Sequence, residues 1–393
     1  MIRFFRSALA LIPLAFILAS CNQDPASVGS NLISEQDKFT FQQLDSQTSD
    51  IKQSSTYFAF KPKLGSASYL LLGKVPYAES SILYRWNLIL PDSTLQRFGN
   101  NEVIVKESWI EMIPRNTLGN SSGAFDFTVQ KVTSAWGAPT FDRDSISSLQ
   151  YDPQNLKSNM VMTDTTLKFN VDPNVVKEWL SIKYNKLPRN NGILLKATAN
   201  TQKMIGFKAV QAGSSDYETY MHIVLQRPSY YIDTLVVPPD EDIHFVTSTL
   251  PPAGSDLYLQ GSYSLRGTLY FDVSTIPKNS IINKAQLELT VDAANELYGS
   301  LRSDSVFVQL LSDSTNKTLF DSTSYALLSR SNNVYAGDIS KYVQRWITGT
   351  ENQGLDLSLL NEYYTGARIA FYGSKNPNKA LRPKLKIIYM QKN

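Results

Sequence analysis

Few side chains in this 393-residue sequence are suited to catalysis or metal binding. It contains one cysteine, Cys21, and two histidines, His222 and His244. These counts exclude an intrachain disulfide and a zinc site built from cysteine and histidine, and a Ser-His-Asp triad would have to use one of the two histidines. The 35 Asp and Glu residues show no spacing that singles out a catalytic pair, and there is no P-loop or dinucleotide fingerprint. We therefore expect no catalytic residues, no metal ligands and no enzyme activity.

The cysteine ends an apolar N-terminal segment. Residues 1–21 begin with Met-Ile-Arg-Phe-Phe-Arg, and an apolar run from Ala8 to Ala19 precedes Ser20-Cys21. This pattern is typical of a secretory signal, and the run is short for a transmembrane helix of about 20 residues. Residues 18–21, Leu-Ala-Ser-Cys, resemble the lipobox of bacterial lipoproteins. The resemblance implies a signal peptide over 1–20, palmitate-type acylation of Cys21, and attachment to the outer membrane of a Gram-negative envelope, facing the periplasm or the cell surface.

The composition beyond Cys21 indicates a polar tether followed by folded domains. Residues 21–50 are rich in Gln, Ser, Asp and Thr, a composition that predicts a flexible tether. Apolar residues make up 42% of the whole chain, which suffices for packed cores. The net charge is only +3, from 38 basic and 35 acidic residues, so bulk electrostatics does not favour nucleic acid as a partner.

An internal repeat organises the remainder. Similar segments follow one another in the same order at 69–73 and 258–261, 83–86 and 269–272, 105–112 and 283–289, 127–132 and 306–311, 192–195 and 354–357, and 220–226 and 384–391. A duplication explains this order better than one large domain does. The intervening segment contains Pro238-Pro239 and Pro251-Pro252, which suit a linker. We place the first domain at 51–235, and the linker and second domain at 236–393.

Hydrophobic periodicity predicts the fold class. Ala285, Leu287 and Leu289 alternate with polar residues, as in strands that bury one face. Many short strands of this kind predict an all-β chain of two tandem antiparallel β-sandwich domains, jelly-roll-like, each with one short helix.

The two predicted helices each carry a tryptophan at an equivalent position. From Ile339 to Ile347, apolar residues recur at helical spacing, and Asp172-Pro173 supplies a cap and a first helical position in the other copy. Trp179 and Trp346 both fall on the apolar stripe. We interpret them as structural plugs over the open end of each sandwich; sugar-stacking platforms are the alternative.

The second copy resembles the DNRLRE (disaggregatase-related repeat) domain, a β-sandwich grouped with carbohydrate-binding modules. The matching segments are 269–277, 281–289, 338–346, 354–355 and 382–385, whereas the first copy fits more loosely and lacks the Arg-Pro-Lys-Leu ending. The layout is also similar to a family of uncharacterised envelope lipoproteins with an Asp-Pro-x-x-x-Gly segment, here residues 24–29, soon after the cysteine. The resemblance implies carbohydrate binding.

The tyrosines offer candidate contacts with a ligand. There are 21 of them, and an aromatic ring can stack on the C–H face of a sugar. Tyr298, Tyr363 and Tyr364 occupy loop-like positions beside glycine or threonine, and we predict them as ligand-binding residues. No cofactor is expected, and a structural Ca²⁺ is left open.

Two functions from different classes follow from these observations. The first is a non-catalytic, lipid-anchored protein that binds a polysaccharide or serves as a surface adhesion module. The second is a structural or assembly lipoprotein whose partner is another envelope protein. A third hypothesis, a polysaccharide hydrolase, would require two carboxyl groups about 5–10 Å apart in a cleft.

Overall fold

A computed structural model describes residues 34, 37–62, 65, 67–182, 190–210, 215–252, 254, 256–300 and 303–392. Strand residues make up 48% of the structure, which also contains three short α-helices, and the predicted β-rich, antiparallel class is confirmed. The predicted signal peptide and Cys21 lie outside the described residues. Among the helices that are described, none has the length and apolar character needed to span a bilayer.

The strands form three antiparallel sheets. The seven-stranded sheet contains β3 (Tyr69–Val75), β4 (Ala78–Arg85), β6 (Pro114–Gly119), β7 (Phe127–Lys131), β10 (Ile193–Ala197), β11 (Lys203–Lys208) and β14 (Glu241–Ser248). The five-stranded sheet contains β5 (Ile104–Met112), β8 (Lys157–Met162), β9 (Leu167–Val171), β12 (Thr219–Arg227) and β13 (Tyr231–Val237). The twelve-stranded sheet contains β1 (Phe39–Asp45), β2 (Gln53–Ala59), β15 (Asp256–Gln260), β16 (Leu265–Phe271), β17 (Ile281–Thr290), β18 (Ser305–Asp313), β19 (Thr318–Leu319), β20 (Ala326–Ser331), β21 (Val334–Asp338), β22 (Leu355–Leu359), β23 (Arg368–Tyr372) and β24 (Lys384–Lys392).

A first hydrophobic core joins the seven-stranded and five-stranded sheets. Ile82 and Leu195 from the former pack in one buried cluster with Ile110 and Ile223 from the latter. Alternate residues of each strand enter this core because successive side chains point to opposite faces of a sheet. The two sheets are thus held together by apolar burial.

A second core lies within the twelve-stranded sheet. Buried side chains from distant positions along the sheet, including Leu269, Leu287, Val306 and Ile387, belong to one cluster. The structure includes a sheet that curls into a half-barrel, and a sheet curled in this way can enclose a core of its own.

Three short helices pack into these cores: α1 (Asp92–Gly99), α2 (Pro173–Leu180) and α3 (Ser340–Ile347). The predicted cap of α2 is confirmed, since the Asn174 backbone N–H donates to Asp172 Oδ1 at 2.9 Å. One helix per domain was expected, but the first core receives both α1 and α2. Helix α1 has only two buried apolar residues, Leu95 and Phe98, too few to produce a recognisable helical period.

The strand pairing repeats along the chain. In the first half β4 pairs with β3, β10 and β14, and in the second half β16 pairs with β15, β22 and β2. Likewise β5 pairs with β9 and β12, and β17 pairs with β21 and β24. We call β3–β12 the first repeat and β15–β24 the second repeat. The strands of the first repeat are divided between two sheets, whereas those of the second repeat form one sheet because β18 pairs with β20.

The strands β1 and β2 complete the second repeat although they precede the first repeat in the sequence. Strand β1 pairs with β24 along all seven of its residues, and β2 pairs with β16. In the first repeat the corresponding positions are held by β13 beside β12 and by β14 beside β4. Residues 39–45 of the predicted tether therefore form a strand, and β2 and β14 each pair across the predicted boundary near residue 235. Local composition carries no information on such distant pairing.

The two halves are in direct contact. The Arg368 guanidinium lies 3.9 Å from the centre of the Tyr77 ring, and the Tyr77 hydroxyl donates to the Gly366 carbonyl at 3.0 Å. Leu118 and Gly299 form an isolated antiparallel bridge. A Cβ at Gly299 would lie 1.9 Å from the Thr117 carbonyl oxygen, so glycine permits this close approach.

Removing residues 1–59 should selectively destabilise the second repeat. The deletion leaves β24 and β16 each with an unpaired edge, and it removes the partly buried side chains of Leu44 and Tyr57 from the second core. Calorimetry should show a separate unfolding transition at a lower temperature. A chain that begins at Ser34 retains both strands and should unfold as the full chain does; identical curves for the two truncated chains would refute the role of β1 and β2.

Candidate functional site

A pocket of 320 Å³ opens on the outer face of the seven-stranded sheet, on the side away from the first core. We call it the sheet pocket. Its lining residues come from three adjacent strands and one loop: Glu79, Ser81, Ile146, Leu149, Tyr151, Leu194, Lys196, Phe245 and Thr247. Sites of this size, with apolar walls and a few convergent polar groups, are typical of small-molecule binding.

Strand register positions the polar groups of the pocket. Ser81 on β4 lies between Lys196 on β10 and Phe245 on β14, and Glu79 lies opposite Thr247. These residues share one face, while Ile82, next to Ser81, points into the first core. A carboxylate, an ammonium and two hydroxyl groups therefore meet on a surface fixed by backbone hydrogen bonds.

The loop over the pocket is held by its own contacts with the sheet. Tyr151 forms a bridge with Val132 at the end of β7, and the Trp136 indole N–H donates to the Asn191 carbonyl at 2.7 Å. The rings of Phe141 and Phe245 stack with centroids 5.6 Å apart. The Tyr151 ring consequently stands at the pocket, 6.0 Å from Lys196 Nζ.

This arrangement suits recognition. Leu194, Phe245 and the Tyr151 ring offer apolar contact, and Ser81 and Thr247 offer hydroxyl groups. Among the lining residues Glu79 supplies the one carboxylate, so the pocket lacks the second carboxyl group that glycoside hydrolysis requires.

The tyrosines predicted as ligand contacts lie elsewhere. Tyr363 is exposed, and the Tyr364 ring packs against Tyr69 with centroids 5.7 Å apart. Tyr298 is exposed on another loop, where the Arg330 guanidinium lies 5.8 Å from its ring centre. None of the three predicted residues lines the sheet pocket.

Trp179 and Trp346 are both buried, the former in the first core and the latter in the second.

Sequence reasoning missed Glu79, Tyr151 and Lys196. These residues are far apart in the chain and belong to no motif, and only the pairing of β4 with β10 and β14 brings their elements together. Tyr151 follows a long loop whose path the sequence does not reveal.

The histidines have different surroundings. His222 lies on the outer face of the five-stranded sheet, stacked on Trp109 with ring centroids 4.8 Å apart. Lys168 Nζ lies 4.4 Å from the centre of the Trp109 ring. His244 is fully buried, with Nε2 at 3.1 Å from Ser262 Oγ, and burial lowers its pKa to about 3. His244 is therefore neutral at neutral pH.

A buried ionic cluster in the second repeat contains two carboxyl groups. Arg266 donates to both carboxylate oxygens of Glu362, at 2.9 and 2.7 Å, and its Nη1 lies 3.6 Å from Asp356 Oδ2. The Arg266 guanidinium also covers the Phe60 ring at 3.7 Å. Burial raises the pKa of Asp356 to about 6. Because both carboxyl groups are less than 5% exposed, they are shielded from a substrate in this arrangement.

Within the residues that the structure describes, no group of three or more His, Cys, Asp or Glu side chains is arranged to hold a metal ion.

Comparison with known proteins gives no relative: no family model, curated protein or solved structure matches this chain. The DNRLRE resemblance accordingly stays a prediction.

Strand β14 joins the pocket to the contact between the two halves. Its Phe245 and Thr247 line the pocket, while Asp242 and His244 occupy its opposite face. Asp242 is buried and accepts the Val210 backbone N–H at 2.7 Å, and burial raises its pKa to about 7. The carboxyl thus holds a proton more tightly in the folded chain than in the unfolded one.

The substitution Asp242→Asn should change the pH dependence of stability. The folded pKa of about 7 exceeds the ordinary value of 3.8, so this carboxyl stabilises the fold fully at low pH and loses that contribution as pH rises through 7. Relative to the unaltered chain, the variant should gain on the order of a few kcal/mol in unfolding free energy between about pH 4 and pH 8. His244 remains in both proteins, so its opposite slope cancels in the difference.

Urea unfolding at both pH values measures this difference. Asp272→Asn is the control, since hydrogen bonds from Ser274 lower the pKa of that carboxyl below 3.8. Its titration therefore lies mainly below about pH 4, and its removal should leave the stability difference nearly constant between the two pH values. A difference that stays constant with pH for Asp242→Asn would contradict the buried, protonated carboxyl.

Proposed function

We propose that this chain is a lipid-anchored, non-catalytic protein of the Gram-negative cell envelope that binds carbohydrate, or acts as a surface adhesion module, through the sheet pocket. The observation that carries the proposal is the pocket itself, which combines hydroxyl and charged groups with an aromatic ring and an apolar wall. The DNRLRE resemblance also implies carbohydrate binding, but it is carried by the second copy, whereas the sheet pocket lies in the first repeat, which fits that domain more loosely.

Sugars match the chemistry of this pocket. A pyranose presents hydroxyl groups at its rim and C–H groups on its faces, so Ser81 and Thr247 suit its hydroxyl groups and Tyr151 or Phe245 suits its C–H faces. The charged pair Glu79 and Lys196 favours a sugar that carries a complementary amino or carboxyl group. The ligand class is therefore a short saccharide, charged or neutral, at the end or along the side of a polysaccharide.

We further infer that the three sheets represent two tandem jelly-roll-like β-sandwich domains. Two separate cores and the corresponding pairing of β3–β12 and β15–β24 support this inference. The 12-stranded sheet is then a sandwich whose two layers are joined through β18 and β20.

Membrane attachment in this proposal depends on Cys21. Each CH₂ group of an acyl chain buried in lipid contributes about 0.8 kcal/mol, so two or three chains anchor a protein stably where one does not. The protein then lies on the outer membrane, at its periplasmic or outer surface.

Acylation can be tested directly. Mass spectrometry of the mature N-terminus should show residues 1–20 removed and acyl chains on Cys21, and Cys21→Ser should abolish both. A bare thiol, or a leader still attached to the mature protein, would refute the anchor.

The pocket is tested with a glycan array and the full chain in detergent. Tyr151→Ala and Glu79→Gln should each weaken binding of a retained glycan by roughly tenfold or more, as expected when a stacking or charged contact is lost. Tyr230→Ala is the matched control, because Tyr230 is 73% exposed and lies outside the pocket.

Two outcomes would contradict the sheet pocket as the binding site. If only Tyr363→Ala and Tyr364→Ala abolish binding, the ligand binds at the exposed loop instead. If no glycan is retained and another envelope protein co-purifies stably, the assembly function is favoured.

One surface favours that second function. Strand β13 is the last strand of the five-stranded sheet, and its Ile232 and Val236 are more than half exposed, beside the exposed ring of Tyr230. Apolar residues at a sheet edge are typical of surfaces that receive another protein.

A further inference from the structure

We propose that one corner of the twelve-stranded sheet lies against the surface of an anionic lipid bilayer. The corner consists of the outer faces of β1, β24 and β17, and we call it the membrane patch. Its apolar members are Phe39, Phe41, Met390 and Ile281, and its basic members are Lys284 and Lys392. The position of this patch next to a membrane depends on the proposed acylation of Cys21.

Register brings the apolar side chains together. Phe41 is paired with Met390, and Met390 is paired with Ile281, so the three residues form a row across three adjacent strands. Leu44 and Ile387 belong to the second core, and alternation places Phe41 and Met390 on the opposite, outward face.

The exposure of these residues is unusual for strands. Phe39, Phe41 and Ile281 are 52%, 69% and 48% exposed, although neighbouring positions of the same strands supply the core. Contiguous exposed apolar surface at a sheet corner indicates contact with a partner or a membrane.

Basic residues surround the row. Lys392 is paired with Phe39, and Lys284 is paired with Ile388 beside the row. Lys386 and Lys38 add to the positive charge, and two carboxylates offset part of it: Asp45, which lies opposite Lys386, and Asp37, which forms an ion pair with Lys392 at 2.9 Å. Aromatic rings within a basic rim suit a bilayer interface, where rings enter the headgroup layer and lysines meet anionic headgroups.

The position of the patch in the chain selects a bilayer over other occupants. Strand β1 begins at Phe39, and the roughly 18 residues from Cys21 span at most about 60 Å even when fully extended. Acyl chains on Cys21 therefore keep the patch at a high effective concentration near the lipid surface, where contacts that give measurable but partial vesicle binding in the unacylated chain become saturated.

The test uses the mature chain, residues 21–393, with Cys21→Ser, so that vesicle binding reports on the patch and not on the acyl chains. The protein is sedimented with vesicles of phosphatidylcholine containing phosphatidylglycerol, and with phosphatidylcholine alone. We expect binding to the anionic vesicles, weakened by salt, and little binding to the neutral ones.

The double variant Phe39→Ser/Phe41→Ser should lower the partition coefficient on anionic vesicles by roughly tenfold or more. Phe320→Ser is the control, because Phe320 is 45% exposed and lies outside the patch. Should the double variant fail to fold, Lys284→Glu/Lys392→Glu gives the second test, and its binding should be lost on anionic vesicles.

Equal vesicle binding by the patch variants and the control would overturn the proposal, and so would absence of binding to both vesicle types. It would also be overturned if the unaltered protein forms a dimer that the double variant abolishes, since a second copy would then cover the patch. None of these outcomes bears on acylation of Cys21 or on glycan binding, which their own experiments decide.

Discussion

Backbone pairing at the edges of the sheets is the constraint on which this fold depends. Strands β16 and β24 would each expose a row of N–H and C=O groups if residues 39–59 did not pair with them. In the first repeat β13 and β14 meet the same requirement. Strands β1 and β2, which pair with β24 and β16 of the second repeat, precede the first repeat in the sequence. The two repeats are therefore linked through these hydrogen bonds as well as through the chain, and cleavage of the chain at one point would not separate them.

The same dependence shapes the candidate site. Strand β14 pairs with β4 along its whole length, presents Phe245 and Thr247 to the sheet pocket, and buries His244 against Ser262 near the second repeat. A strand that is buried on one face and lines a pocket on the other cannot move independently of either. The polar groups that β4 and β14 present to the pocket are therefore fixed by strand pairing, and fixed groups would lower the entropic cost of binding a ligand there.

Much of the fold follows from local patterns, and little of the site does. Strand β17 and the start of α2 at Asp172-Pro173 could be predicted from the sequence. A strand with one buried face gives an alternating pattern, and a helix cap gives a recognisable pair of residues. Strand β4 gives no such signal, since Ile82 enters the first core while the adjacent Leu83 is buried in a cluster on the outer face. Strand β1 lies within a segment whose overall composition resembles a tether, and its pairing with a strand more than 300 residues away has no local cause. Pocket residues on three strands and a loop are likewise brought together only by tertiary structure.

The pairing of β1 with β24 also determines how mechanical force enters the molecule. If the protein is held at Cys21 and its ligand is fixed elsewhere, tension reaches the body first through the seven paired residues of β1. The second repeat then bears the load before the first, and the ion pair between Asp37 and Lys392 lies where peeling would begin. Resistance of the molecule to such a pull would therefore be set by the β1–β24 pair, remote from the sheet pocket.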